Sequence, residues 1–384
     1  MKKLISRSRR RLPEDVLAEI ISYLPAKAFF KFLPVCKTFC QLSSNSHFLL
    51  SQSYHNTTVS GIIVHYRNML KSFVLMDHRA GIPRNSLEFL GKTGSSILGS
   101  AGGLVFVLLQ KIEKFNSSVI GICVCNPARG TRCWLPFTSG KHRQGGIAVR
   151  FMNDGDGVTK DYKLVYVSQT ENEDLRASHH CRVYDSVARA WTMDKAVDFG
   201  PQLLNLADPV VCGDTVFWVS PDLQSYTKFD AFVVTFDVRD ESTQMIPLPR
   251  ETVIGFDNIY GLAKWEGNSL CLIHYRSSSG LFRLWLLKKT SDSVQEWVKM
   301  HEISVAQMGL MRETLFVCYV KLIEVATTTL LVFTGHAMVY SYDMKDGGAC
   351  KKLKQLGIAY YPRLIAYSNT LRPCGEQEEL LEAI

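Results

Sequence analysis

The stretch CVCNPARGTRCWLPF, residues 123–137, decides the fold. It reads as an apolar strand ending on Asn126, a short polar turn, and a second strand carrying an aromatic and a proline. Asn and Asp favour such a strand end because their side chains bond the backbone two residues on and so start a turn. The phrase recurs as FVLMD to Asp77, CRVYD to Asp185, VVTFD to Asp237 and VYSYD to Asp343, and most copies resume in strands such as RAWTM and QMIPLP. These Asx markers stand 49, 59, 52 and 106 residues apart, so the last interval holds two repeats. FRLWLLKKTSDSVQEWVKMHEI, residues 282–303, supplies the missing member: a strand, a polar turn and a resumed strand at Trp297, without the Asx residue.

Each unit also has an upstream strand of period-two character, such as GGLVFV, TVFWV, SLCLIH or TLLVF. Six units of about fifty residues have the period of a kelch-like β-propeller with four strands per blade. One blade cannot bury both of its faces, so the units must close radially. The first unit, from GIIVHY to SLEFL, reads as three strands, and RLIAYSNTL, Arg363–Leu371, is a strand without a blade of its own. Pairing the two closes the ring without an unpaired seam. The expected order is therefore a basic disordered tail at 1–11, a helical module at 12–55, a propeller at 56–371 and an acidic disordered tail at 372–384: a multidomain α+β chain, a small all-α module before an all-β ring of six blades.

The helical module comes from LPEDVLAEIISYLPAKAFFKFLPVCKTFCQL, residues 12–42. Pro13 suits a first helical turn, and Glu14 and Asp15 sit favourably at the positive end of the helix dipole. Val16, Leu17, Ile20, Ile21 and Leu24 recur at one-turn spacing until Pro25 stops the helix. Ala26–Leu33 forms a second segment, Val35, Cys36, Phe39 and Leu42 stripe a third, and a fourth runs from His47 to Tyr54. Four short helices cannot enclose so many apolar side chains, so some of that surface needs a partner.

Leu12-Pro13, Val16-Leu17, Ile20, Leu24-Pro25-Ala26-Lys27, Val35-Cys36-Lys37 and Phe48 resemble the F-box, with Phe39 where that family usually has Trp. The resemblance implies docking onto a Skp-type linker protein, and through it a cullin and a RING subunit. It carries over Leu12, Pro13, Leu17, Ile20, Leu24, Val35 and Cys36 as partner-facing or scaffold positions. The downstream region, through GGLVFVLL…VCNPARGTRCWLPF and GLAKWEGNSLCLIHY…LWLL…EWVKMHEI, resembles the F-box-associated, kelch-related region of plant F-box proteins. The kelch double glycine survives at Gly102-Gly103.

Charge argues against nucleic acid as a direct ligand. Lys2, Lys3, Arg7, Arg9, Arg10 and Arg11 supply six of the formal +8, which leaves +2 for everything after Arg11, whereas phosphate binding needs basic residues gathered on a folded face. The basic tail reads as a solvated terminus or a nuclear-import patch. No apolar run spans a bilayer and no cleavable leader opens the chain, so the expected location is nucleus or cytoplasm. Eleven cysteines, an odd number spread through strands, fit reduced buried thiols.

Catalytic patterns fail. GKT at 91–93 lacks the glycine and the apolar helix of a phosphate loop, His179-His180-Cys181 lacks metal-ligand spacing, and HEISV at 301–305 lacks the second His of a zinc protease helix. Cys123 and Cys125 share one strand face and read as core. No cofactor or metal is expected. The reading is a non-catalytic substrate adaptor of a Skp/cullin/F-box ubiquitin ligase; alternatives are a non-degradative co-regulator of transcription and, against the absence of recurring acidic or histidine motifs, a propeller enzyme or glycan reader. Three polar loops are expected to meet a protein substrate: residues 138–146 with Lys141, His142 and Arg143, residues 153–161 with Asp154 and Asp156, and residues 168–180 with Glu171, Glu173 and Arg176.

Overall fold

In the computed structural model the surviving Asx markers work as their chemistry dictates. A side-chain oxygen accepts the backbone N–H two residues on: Asp77 from Arg79 at 2.9 Å, Asn126 from Ala128 at 3.0 Å, Asp185 from Val187 at 2.8 Å, Asp237 from Arg239 at 2.8 Å and Asp343 from Lys345 at 2.9 Å. The structure describes residues 12–66, 69–92, 95–113, 116–136, 144–152, 159–171, 177–200, 204–220, 231–253, 257–289, 295–311, 315–325, 328–356 and 362–381.

Four helices, α1 (Glu14–Ser22), α2 (Ala26–Phe30), α3 (Lys37–Leu42) and α4 (Ser46–His55), precede the strands. The first blade holds β1 (Gly61–Tyr66) and β2 (Met69–Leu75), followed by α5 (Arg84–Leu90). The second holds β3 (Ser95–Ala101), β4 (Leu104–Glu113), β5 (Asn116–Asn126) and β6 (Thr131–Trp134), and the third β7 (Gln144–Phe151), β8 (Tyr162–Glu171), β9 (Ala177–Asp185) and β10 (Ala190–Val197). The fourth holds β11 (Val210–Cys212), β12 (Thr215–Val219), β13 (Phe232–Asp237) and β14 (Thr243–Pro247), followed by α6 (Arg250–Val253). The fifth holds β15 (Asn258–Trp265), β16 (Ser269–Arg276), β17 (Leu281–Lys289) and β18 (Gln295–Ser304), the unit that lost its Asx marker. The sixth holds β19 (Val317–Val325), β20 (Thr328–Gly335), β21 (Met338–Asp343) and β22 (Lys351–Gln355); β23 (Arg363–Tyr367) and β24 (Glu379–Leu380) follow.

Within each blade the strands pair antiparallel in sequence order, and β23 joins β1 with Gly61 opposite Tyr367 and His65 opposite Arg363. The innermost strands meet in the cycle β23, β3, β7, β11, β15, β19 and back to β23, which closes six blades. Apolar packing follows the same cycle, with a separate buried cluster between each neighbouring pair of blades. This is the burial that a single blade cannot achieve alone.

Two expectations are corrected. SLEFL, expected as a strand, is the body of α5: after Pro83, Ser86, Phe89 and Leu90 turn one helical face inward, with Phe89 and Leu90 between the first two blades and Ser86 Oγ donating to Pro127 O at 2.7 Å. A short apolar run does not declare its period, so a helix turn and a strand look alike in it. The first blade therefore has three strands, β2-β1-β23. The acidic tail at 372–384, expected to be disordered, packs as far as Leu381. Glu378 pairs with Arg129 at 2.8 Å, Glu379–Leu380 extend the second blade opposite Thr131 and Arg132, and buried Leu381 donates its N–H to Gly130 O at 2.7 Å. The run looks solvated by composition, yet its acids meet arginines supplied by distant loops.

The proline and aromatic of the resumed strands also acquire a reason. Trp191 Nε1 of the third blade donates to Pro136 O beyond the second, and Trp297 Nε1 of the fifth donates to Pro247 O of the fourth, each at 2.9 Å. In the channel Arg363 donates to the carbonyls of Ile97, Leu98 and Ala207, and stands 3.7 Å from Asp208, which accepts Lys321 Nζ at 3.2 Å. Burial opposes ionisation of Asp208, but Lys321 and Arg363 hold its carboxyl below the usual range.

Truncation before Arg363 is expected to abolish the cooperative thermal transition seen by circular dichroism, and truncation after Leu371 to lower its midpoint by several degrees, because Cys374, Glu378 and Leu381 are then lost. A second expectation concerns pH. Burial pushes His65, His179 and His274 down to about 4, with Arg363 adding to the effect at His65 and Arg283 at His274. His274 Nε2 is 2.9 Å from Asn258 Oδ1, and its buried Nδ1 has no hydrogen-bond partner among the described residues. These groups bind protons more readily once unfolded, so their contribution is complete above about pH 6.5 and is lost as pH falls toward 4. Denaturant titrations from pH 7.5 to 4.5 should show stability falling below about pH 6.5, with His274→Gln removing about one proton from the slope.

Candidate functional site

At the start of α1, Pro13 stands as cap with φ −53° and ψ 147°, one residue earlier than a first-turn position, and Glu14 and Asp15 occupy the first turn. Pro25 caps α2, and α4 starts where Asn45 Oδ1 accepts Phe48 N–H at 2.9 Å. The helices close on Ile21, Phe29, Phe39, Phe48 and Leu49. This core divides the seven positions carried over from the resemblance. Leu17 and Leu24 are partly buried against it, whereas Leu12 (59% exposed), Pro13, Ile20 (53%), Val35 (65%) and Cys36 face outward. Val16 and Phe32 are exposed apolar residues as well and were absent from that set. For Val16 the signal was present in the sequence: Val16 and Ile20 stand one helical turn apart on α1, four residues on from Leu12.

The helical module is bolted to the ring by the segment that follows the closing strand. Asn369 O accepts Ala26 N–H at 3.1 Å, Asn369 Oδ1 accepts Lys27 N–H at 2.9 Å, and Asn369 Nδ2 donates to Gly81 O at 2.7 Å. Leu371 N–H donates to Gln52 Oε1 at 2.7 Å, while Gln52 Nε2 donates to Leu24 O at 2.8 Å. Leu371 and Ala128 enter the helical core itself. The double glycine serves this passage. At Gly103, φ is +86° and a Cβ would lie 1.9 Å from Thr370 Oγ1, while Thr370 Oγ1 donates to Gly102 O at 2.8 Å.

Of the loop residues expected to meet a substrate, Lys141, His142, Arg143, Asp154, Asp156, Glu173 and Arg176 lie outside the described residues. Glu171 ends β8, its backbone opposite Ala177. The flanking strands divide the three loops between the two faces of the ring. Antiparallel order puts the turns after β2, β3, β5, β7 and β23 on one face, where the helices sit. Thr159, beside the 153–158 segment, is on that face and accepts Arg372 Nη1 at 2.6 Å. The β8 and β9 ends around residues 172–176, and the β6 and β7 ends around residues 137–143, open on the opposite face.

Two groupings invite a catalytic reading and fail it. Ser22 Oγ lies 2.8 Å from His55 Nδ1, with Glu19 3.9 Å from the other ring nitrogen, but Ser22 is fully buried and its hydroxyl donates to Glu19 O at 2.7 Å. His55 Nδ1 must then be the donor, which leaves it no base for Ser22; the pair sews α1 to α4. His179, His180 and Cys181 alternate across β9: His179 packs on Phe199, His180 faces Asp194 at 3.2 Å, and Cys181 is buried. No three His, Cys, Asp or Glu side chains converge as metal ligands among the described residues. Burial pushes the Cys123 thiol up to about 12, and Cys125 rises well above its ordinary range, as core thiols do.

The F-box domain matches residues 10–51, and the F-box associated beta propeller domain matches residues 95–372. The chain belongs to the F-box associated β-propeller family. Among its relatives is an F-box/LRR-repeat/kelch-repeat protein of Arabidopsis thaliana, 23% identical over 296 residues that cover 76% of each chain. Another Arabidopsis thaliana protein, provisionally named an F-box protein, is 22% identical over 303 residues, covering 75% of this chain and 77% of its own. This is thus a plant F-box protein with a C-terminal propeller, and its F-box implies a Skp-type adaptor as partner. The strands β1 and β2 fall between the two matched regions, yet they complete the ring through β23.

Because the Asn369 side chain bridges α2 and the turn at Gly81, Asn369→Ala in this F-box protein is expected to lower the unfolding free energy by about 1–3 kcal/mol. Breaking the exposed Arg84–Glu88 pair by Glu88→Ala should change it by less than about 0.5 kcal/mol. Denaturant titration of both variants checks the difference.

Proposed function

We propose that this F-box protein is the substrate-recognition subunit of a Skp/cullin/F-box ubiquitin ligase, a non-catalytic adaptor acting in the nucleus or cytoplasm. Its helices dock the Skp-type linker, its propeller holds a protein substrate, and the recruited conjugating enzyme performs the chemistry. The observation that carries the reading is the set of exposed apolar residues Leu12, Val16, Ile20, Phe32 and Val35 in a helical module that is hydrogen-bonded to the ring. An apolar strip on so small a module calls for a partner, and its fixed orientation sets the distance between linker and substrate.

Substrate docking is assigned to the face away from the helices. The helices cover part of their own face at the turns of the first two blades, whereas the opposite face carries the flanks of the 138–146 and 168–180 loops. It also carries Met311 (69% exposed) and Phe316 (50%) in the connection from β18 to β19.

Ile20→Asp with Val35→Asp tests the linker site. Losing the burial of one such side chain removes about 1.5–3 kcal/mol, so affinity for a recombinant Skp-type linker should fall at least about tenfold in calorimetry, with the thermal midpoint unchanged. Unchanged affinity would sink the assignment. Met311→Asp with Phe316→Asp should leave linker affinity intact and reduce ubiquitination of a bound substrate in a reconstituted ligase.

A further inference from the structure

A cavity of about 420 Å³ opens at the seam between the helices and the ring. Phe30 of α2, Gly81, Ile82 and Pro83 ahead of α5, and Ala128 in the turn after β5 form an apolar lining, with Lys27 and Arg129 as its cations. The volume lies within the range of small-molecule sites, which are mostly apolar with a few placed polar groups. The walls are preset. One Asn369 side chain holds both Lys27 N–H and Gly81 O, and Ser86 Oγ holds the neighbouring Pro127 carbonyl.

The two cations differ. Arg129 is neutralised by Glu378 at 2.8 Å, and its Nη1 also reaches Leu371 O. Lys27 Nζ lies across Gly81 and donates to Ala80 O at 3.0 Å, and no carboxylate of the described residues is within ion-pair distance of it. The acid of the same turn, Asp77, is held by Arg79 at 3.1 Å. An apolar cleft therefore carries at its edge one positive charge that no carboxylate of the described residues pairs, backed by walls that two modules hold in place.

We propose that this cavity is a binding site for a small amphipathic acid, an aromatic or branched apolar body resting on Phe30, Ile82 and Pro83 with its carboxylate at Lys27. Such a ligand touches α2 and the turns of the first two blades together, so its occupancy stiffens the joint that Asn369 makes. Its lining shares no residue with the exposed set Leu12, Val16, Ile20, Phe32 and Val35, and the proposal does not depend on the ligase reading.

The test titrates 4-phenylbutyrate, 4-phenylbutyramide and 4-phenylbutylamine into the full chain, followed by saturation-transfer NMR and thermal shift. A probe of this size should bind with a dissociation constant on the order of 1 mM. Saturable binding of the acid at least about fivefold tighter than the amide is expected, as one charge-assisted hydrogen bond to the ammonium provides. Lys27 is exposed, so Lys27→Met should fold normally and erase the preference for the acid, while Lys27→Glu should transfer it to the amine. Equal binding of acid and amide by the native chain, no saturable binding of the acid, or an acid preference that survives Lys27→Glu would each overturn the proposal. Linker binding by the same variants, unaffected in every case, separates this outcome from the docking strip.

Discussion

The pairing of β1 with β23 is the contact on which the rest of the molecule depends. Residues from opposite ends of the chain share one blade, and β23 takes its innermost place, so this blade joins the two ends of the ring. Closure buries against each other the faces of the first and sixth blades that an open row of blades would leave exposed. It also puts Arg363 where its guanidinium reaches carbonyls of the second blade and of the approach to the fourth, with Lys321 and Asp208 alongside. A buried cluster of this kind costs desolvation and adds little net stability, but removing one member leaves a charge unpaired; its value is in pinning the inner strands to one arrangement.

The same strand continues into the joint with the F-box. Ser368 through Arg372 leave the blade and run under α2 and α4, so the backbone that closes the ring is also what the helices rest on. Ring closure and helix orientation are therefore not independent. A change that loosens β23 displaces the support for Asn369 and Leu371, and with it the direction in which Leu12, Ile20 and Val35 point. Rigidity here comes from a few buried hydrogen bonds around Gln52 and Asn369, each expensive to leave unsatisfied, and from the insertion of Leu371 among helical side chains.

The six interblade clusters carry apolar packing all the way around the ring, and the tryptophan contacts at Pro136 and Pro247 lock alternate blade pairs at the rim. The first blade departs from this regularity. It has no fourth strand, and α5 instead fills the gap toward the second blade, where its turn meets the helical module. The irregular blade is thus the one that carries the joint, the seam cavity and the F-box.

Repeat period, strand character and the helical opening were all legible in the sequence, because each is a local pattern: Asx residues act on their own turns, and apolar spacing reports the face that must be buried. Six blades followed from the interval between Asp237 and Asp343, and closure followed from one strand left over. What could not be read locally was decided by distant partners. SLEFL became α5 because a helix at that point seats Phe89 and Leu90 between two blades. The acidic tail became ordered because Arg129 and Arg132 come from the β5–β6 hairpin about 250 residues earlier. Leu17 and Leu24 separated from Leu12, Ile20 and Val35 only once four helices had chosen their common core and the ring had filled one side of it. Pattern reports which residues need cover; only the folded chain determines what covers them, since that depends on surfaces far apart in sequence meeting at van der Waals distance.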